Sequence, residues 1–171
     1  VALGARIGTL GQARIGYRQT YKRGDLSVGS PVLPEYSINF GGVYASIDLD
    51  RNDRIYQPRN GWAAQGSYFV ASGKGYSKLV AELRGARQIG NDWVVQARAG
   101  YQGSPTGELP IYDVADLGGF LNLSAFARKQ LLGDDATYAG LRIERILGEL
   151  PLGLRGDMRL GLAFEAGKFG K

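Results

Sequence analysis

Apolar and polar residues alternate with a period of two along most of this chain, and almost no stretch carries a helical period. Eight alternating segments stand out, separated by clusters of Gly, Pro, Asn and Asp. Leu3, Ala5 and Ile7 oppose Gly4, Arg6 and Gly8; Ala13, Ile15 and Tyr17 oppose Arg14, Gly16 and Arg18. The third segment, Tyr36 to Leu49, switches its apolar parity between Phe40 and Val43, which predicts a β-bulge at Gly41-Gly42. The fourth sets Trp62, Ala64, Tyr68 and Val70 against Gln65 and Ser67, and the fifth Leu79, Ala81 and Leu83 against Lys78, Glu82 and Arg84. In the sixth, Trp93, Val95, Ala97 and Tyr101 oppose Gln96, Arg98 and Gln102. The seventh opposes Ala139, Leu141 and Ile143 to Arg142 and Glu144, and the eighth Met158, Leu160, Leu162 and Phe164 to Asp157, Arg159 and Glu165.

The connections are unequal. Thr9 to Gly11, Ile89 to Asp92 and Gly148 to Gly153 read as short turns, and Asp50 to Gly61 as a longer one ending in Asn60-Gly61. At the other end lie long loops, roughly Gln19 to Glu35 and Gly103 to Ala136, beside one short turn at Ser72 to Gly75. Tight connections at one end and long ones at the other are the plan of an up-and-down transmembrane β-barrel. The competing reading is a soluble β-barrel or sandwich binding module, which also needs alternation.

Charge separates the two. The polar faces carry the Arg, Lys, Glu and Asp named above, whereas the apolar faces as written carry none. Lipid demands that segregation, because Arg or Lys at the bilayer midplane costs about 2–4 kcal/mol. Tyr17, Tyr21, Trp62, Tyr68, Tyr76, Trp93 and Tyr101 lie mostly toward segment ends, as membrane girdle residues do.

Composition narrows the chemistry. The 171 residues fit one domain, with hydrophobic residues at 44% and charged residues at 22%. No run approaches the ~18 apolar residues of a spanning helix. The chain has neither Cys nor His, which removes disulfides, thiol chemistry and the commonest general base and metal ligand. No catalytic residue, metal or cofactor is expected. The formal charge of +5 raises nucleic acid as a partner, but the basic residues are spread over many segments and interleaved with acids, so none is expected. The opening at Val1 on a strand and the uncapped close suggest a piece of a longer chain.

The stretch Leu117-Gly118-Gly119, followed by Asn122-Leu123-Ser124-Ala125-Phe126, resembles the signature loop of the BamA superfamily, the bacterial surface antigen family. Asp48-Leu49-Asp50 leading to Pro58 and Gly61 is similar to that family's Asp-rich strand end and Pro-x-x-Gly turn. Phe164-Glu165-Ala166-Gly167-Lys168 looks like its acidic-x-Gly element, and Glu144 matches an acidic position facing the barrel lumen. Together these motifs span about residues 47–167. The family's loop Arg is here Ser124 and its Gly is Ala125, a variant that resembles the patatin-linked autotransporter branch.

The resemblance implies an all-β fold: an antiparallel up-and-down transmembrane barrel whose eight strands here are part of sixteen, with the loop folded inward. It implies residence in the outer membrane of a Gram-negative bacterium, among lipid or lipopolysaccharide. The function implied is translocating or anchoring an upstream patatin-like phospholipase domain, or assisting outer-membrane protein assembly. Any phospholipase would lie upstream, since no Gly-x-Ser-x-Gly is present in this chain. A porin-like or purely structural barrel is the alternative. The ring would be completed by missing strands or by a homodimer. With Ser124 in place of Arg, one of Arg142, Arg159, Arg128 or Lys129 is expected to pair with Glu144 or Glu165.

Overall fold

The computed structural model describes residues 1–24, 36–149 and 156–170. Its ten strands are β1 (Ala2–Ile7), β2 (Gly11–Gly24), β3 (Tyr36–Asp50), β4 (Gly61–Ala71), β5 (Ser77–Ile89), β6 (Trp93–Gly103), β7 (Ala115–Leu117), β8 (Leu131–Gly133), β9 (Ala136–Glu149) and β10 (Asp157–Phe169). Eight of them form one antiparallel sheet in the order β1-β2-β3-β4-β5-β6-β9-β10. The other two, β7 and β8, pair as a separate ribbon inside the β6–β9 connection, a pairing the alternation did not predict. Among the described residues β1 and β10 do not pair, so the sheet has two edges. Among the described residues there is no helix long and apolar enough to cross a membrane, a statement that does not touch strands.

The sheet nonetheless curls toward one face. Four strand spacings separate β4 from β10, about 19 Å in a flat sheet at ~4.8 Å per strand. Yet Arg59, just before β4, places its Nη2 2.6 Å from Asp157 Oδ1 on β10. The long β3–β4 connection and the strong bend together bring those ends into contact. The face on the inside of this bend carries the polar residues, and the β6–β9 connection lies over it.

The outer face is apolar and uncovered. In the central strands Val70, Leu83 and Leu141 are 45%, 56% and 42% exposed. Ile15, Val43, Ile47, Leu160, Leu162 and Phe164 continue the same surface. Trp62 and Trp93 sit toward the turn end of this face, Tyr17 and Tyr68 toward the loop end. From Trp93 to Tyr101 is eight residues, about 26 Å at ~3.3 Å per residue. Among the described strand residues four basic side chains share the parity of this face: Arg87 and Arg145 near the turn end, Arg145 directly opposite Trp93 across β6–β9, and Arg23 and Lys168 near the loop end.

Three expectations need correction. Pairing of β2 with β3 runs unbroken through Gly41 and Gly42, so there is no bulge there. The parity switch arises because Phe40 points inward, into a buried cluster with Phe69, Ala71, Tyr76 and Leu109 beneath the loop. An apolar inner residue mimics a bulge wherever something covers the inner face. The register irregularity falls instead between Met158 and Arg159, where β10 skips Leu147 of β9. Second, Tyr76 is buried in that cluster at 3% exposure and is no girdle residue. Third, Gln19 to Gly24 extend β2 opposite Tyr36 to Gly41, so the loop is shorter than predicted; its residues 25–35 lie outside the described residues, as do 150–153 of the Gly148 to Gly153 turn.

Candidate functional site: the loop seated on the inner face

The β6–β9 connection is held at three points. Nearest β5, Lys78 Nζ donates to the Asp113 and Val114 carbonyls at 2.8 and 3.3 Å and pairs with Asp113 Oδ1 at 3.3 Å. Tyr76 donates its hydroxyl to Asp113 Oδ2 at 3.0 Å. Burial first, then the Asp113 carboxylate, pushes the Tyr76 phenol well above its ordinary range. Phe40 packs against Tyr76 and Tyr112 with ring centroids 6.2 and 5.7 Å apart, and Arg18 lies 4.4 Å from the Phe69 ring centroid.

Next, the motif Leu117 to Phe126 folds as a compact turn. Gly118 N donates to the Asn122 carbonyl at 2.8 Å and Gly119 N to the Phe126 carbonyl at 2.9 Å. Gly118 has φ +127°, and a Cβ there would meet the Ala127 carbonyl oxygen at 2.2 Å, so only glycine fits. Leu121 and Leu123 hold φ of 58° and 67°, a left-handed conformation that costs a bulky residue energy and persists because neighbouring contacts fix it. Ser124 Oγ supplies one of those contacts, accepting from Leu121 N at 2.9 Å.

The turn then docks on β10. Ser124 N donates to Glu165 Oε2 at 2.7 Å. The Tyr138 hydroxyl donates to the Leu121 carbonyl at 2.6 Å and lies 3.1 Å from Glu165 Oε1. Gly167, two residues beyond Glu165 and on the same face, leaves room for the loop: a Cβ there would meet Leu123 and Leu117 methyls at 2.6 and 2.8 Å. The acidic-x-Gly spacing thus provides one acceptor and one bare backbone patch side by side. Leu117 is buried with Ala115, Ala136 and Tyr138. Arg98 on β6 completes the seat, donating to the Leu121 carbonyl at 2.8 Å and to Glu82 Oε2 at 2.6 Å.

At the turn end, carboxylates and guanidiniums form a second network. Asp157, 4% exposed, accepts from Arg59 Nε and Nη2 at 2.9 and 2.6 Å, from Arg54 Nη1 at 3.2 Å and from Arg159 Nη2 at 2.7 Å. Arg159 also pairs with Glu144 at 3.3 Å and donates to the Gln57 and Pro58 carbonyls. Arg142 Nε meets Glu144 Oε1 at 3.1 Å, and its Nη2 donates to Gln96. Hydrogen bonding to Asp157 raises the Arg59 pKa above its ordinary value. The whole 51–60 connection is thereby tied to β10. Asp50 orders its first turn, accepting from Asn52 N at 2.8 Å, and Gly61 with φ +128° closes it.

Of the residues singled out from the motifs, Ser124 meets Glu165 directly, Leu117 and Leu123 lie over Gly167, and Gly118, Gly119 and Asn122 shape the turn that carries them. Ala125 and Phe126 are exposed. Arg142 and Arg159 gather around Glu144, whereas among the described residues no Lys or Arg forms an ion pair with Glu165. Arg128 and Lys129 are exposed and join neither acid. Asp48 and Asp50 lie on the inner face of β3, and Pro58 enters the network through its carbonyl. Sequence reasoning missed Tyr138, Arg98, Arg54, Arg59 and the Lys78–Asp113 anchor. Inward parity could have found Tyr138 and Arg98; nothing in the pattern announces the loop arginines.

A cavity of about 350 Å³ opens between the two networks, with Tyr56, Arg84, Arg98, Leu121 and Arg142 in its wall. Among the described residues no group of three or more acidic side chains could hold a metal ion. Compared with known proteins, the chain matches no family model and no curated sequence.

Proposed function

We propose that this chain is a membrane-embedded segment of an outer-membrane β-barrel of the BamA-superfamily kind, anchoring or translocating an upstream domain. One observation carries the reading: the sheet is inside out relative to a water-soluble protein. Its outer face carries exposed large apolar side chains from β1 across to β10, the kind of contiguous apolar surface that marks a membrane or partner contact, while its buried polar atoms and ion pairs lie on the inner face. Lipid covers such a surface; water does not. The outward Arg87 and Arg145 sit where headgroups would lie, beside Trp93.

Among the described residues the edges of β1 and β10 are unpaired, and in the proposed sixteen-stranded ring further strands, from the same polypeptide or a second copy, would cover them. The loop seated on the inner face supports anchoring or translocation over an open porin, because it fills the space a porin leaves to water. The chain itself carries no catalytic site in this reading; a patatin-like phospholipase would lie upstream.

The test is insertion. Leu83→Arg and Leu141→Arg, both central on the outer face, should each lower stability in lipid bilayers by about 2–4 kcal/mol. A chain that stays monomeric, cooperatively folded and indifferent to both substitutions in detergent-free buffer would overturn the proposal.

A further inference from the structure

Register places one row of inner-face residues straight across six strands: Asp50, Ala63, Arg84, Arg98, Gly140 and Glu165. Two guanidiniums stand directly opposite each other in the middle of that row, with small residues on both sides. Like charges directly opposite on a sheet face repel. The surrounding acids do not relieve this equally. Glu82 pairs with Arg98 at 2.6 Å, and Glu165 accepts from the Ser124 amide. Asp50 accepts from Asn52 N. Arg84 has no hydrogen bond or ion pair among the described residues. Arg98 also keeps a buried Nε with no acceptor. That Nε is closed off from the cavity, so the group open to an acceptor is the exposed Arg84 guanidinium.

We propose that the cavity is a binding site for a small organic oxyanion, a carboxylate or phosphate monoester on an apolar body, gripped by Arg84 with Arg98 behind it. The guanidinium fork matches two oxygens of such a group at once. Arg142, one row toward the turn end, extends the positive wall. Ile55, Tyr56 and Leu121 supply an apolar side to the same cavity, which suits the body of the ligand rather than a bare ion. The volume of about 350 Å³ lies at the small end of ligand sites, enough for a single substituted ring. The site stands on the geometry of the inner face and does not depend on what covers the outer one.

Calorimetric titration of the folded chain in detergent micelles with phenyl phosphate tests it, with inorganic phosphate and benzyl alcohol as comparison probes. Saturable binding of phenyl phosphate is expected, at least about tenfold weaker in Arg84→Gln and partly retained in Arg84→Lys. Arg14→Gln, a change to a guanidinium bonded to Gln12 far from the cavity, should leave it unchanged. Benzyl alcohol should not bind, and inorganic phosphate should bind more weakly than its phenyl ester. Phosphorus line broadening of phenyl phosphate by the unmutated chain gives the same answer without any variant. No saturation by about 10 mM, or equal affinity in Arg84→Gln, overturns the site. Inorganic phosphate binding as tightly as the ester overturns the assignment of an organic ligand.

Discussion

Replacing Asp157 by Ala should be the most damaging single change on the inner face. Its carboxylate holds three guanidiniums, but they are not equally dependent on it. Arg54 and Arg59 side chains are 43% and 26% exposed, so both can turn toward water, and solvent screening leaves each about 1 kcal/mol or less to lose. Arg159 is 3% exposed and has nowhere to go. It would keep Glu144 at 3.3 Å and two carbonyls, so its charge is only partly stranded. Stranding a buried charge outright costs about 3–5 kcal/mol, which puts the loss here at about 2–4 kcal/mol. Urea unfolding in micelles, followed by tryptophan fluorescence, would measure it. The same variant should free the 51–60 connection, seen as new cleavage after Arg51, Arg54 or Arg59 by trypsin. Adding Arg159→Gln should recover at least about 1 kcal/mol, because the two residues are coupled. A single-variant loss below about 0.5 kcal/mol, with the connection still protected, would refute the reasoning.

Two further outcomes follow from the loop. Ser124→Ala should cost only about 1 kcal/mol in the same unfolding assay, since the bond from the backbone amide to Glu165 survives and the hydroxyl gives up its Leu121 N contact and its own interaction with Glu165, whereas Glu165→Ala should cost more. Because the Tyr76 phenol is raised in the folded chain, its stabilising contribution is complete below the unfolded value near 10 and is lost as pH climbs toward the higher folded value; melting at pH values on either side of 10 should show a fall that is smaller in Tyr76→Phe.

The alternation of side chains along eight segments determined the all-β fold, the strands of the sheet and which face of each carries charge, because a period of two is a local property of extended backbone. Local chemistry also determined where the loop turns tightly: Gly118 must be glycine whatever lies around it. Contacts between distant segments were another matter. Phe40 and Tyr76 look outward by pattern and lie inward, because the loop residues Leu109 and Tyr112 supply an apolar cover that no alternation records. Arg54 and Arg59 occupy an ordinary polar turn in the sequence, and only the curl of the sheet delivers them to Asp157 about 100 residues away. Glu165 was visible as an acid on the correct face, but its partner proved to be a backbone amide and a tyrosine hydroxyl, because the turn's geometry, not its side-chain inventory, decides which donors point at it.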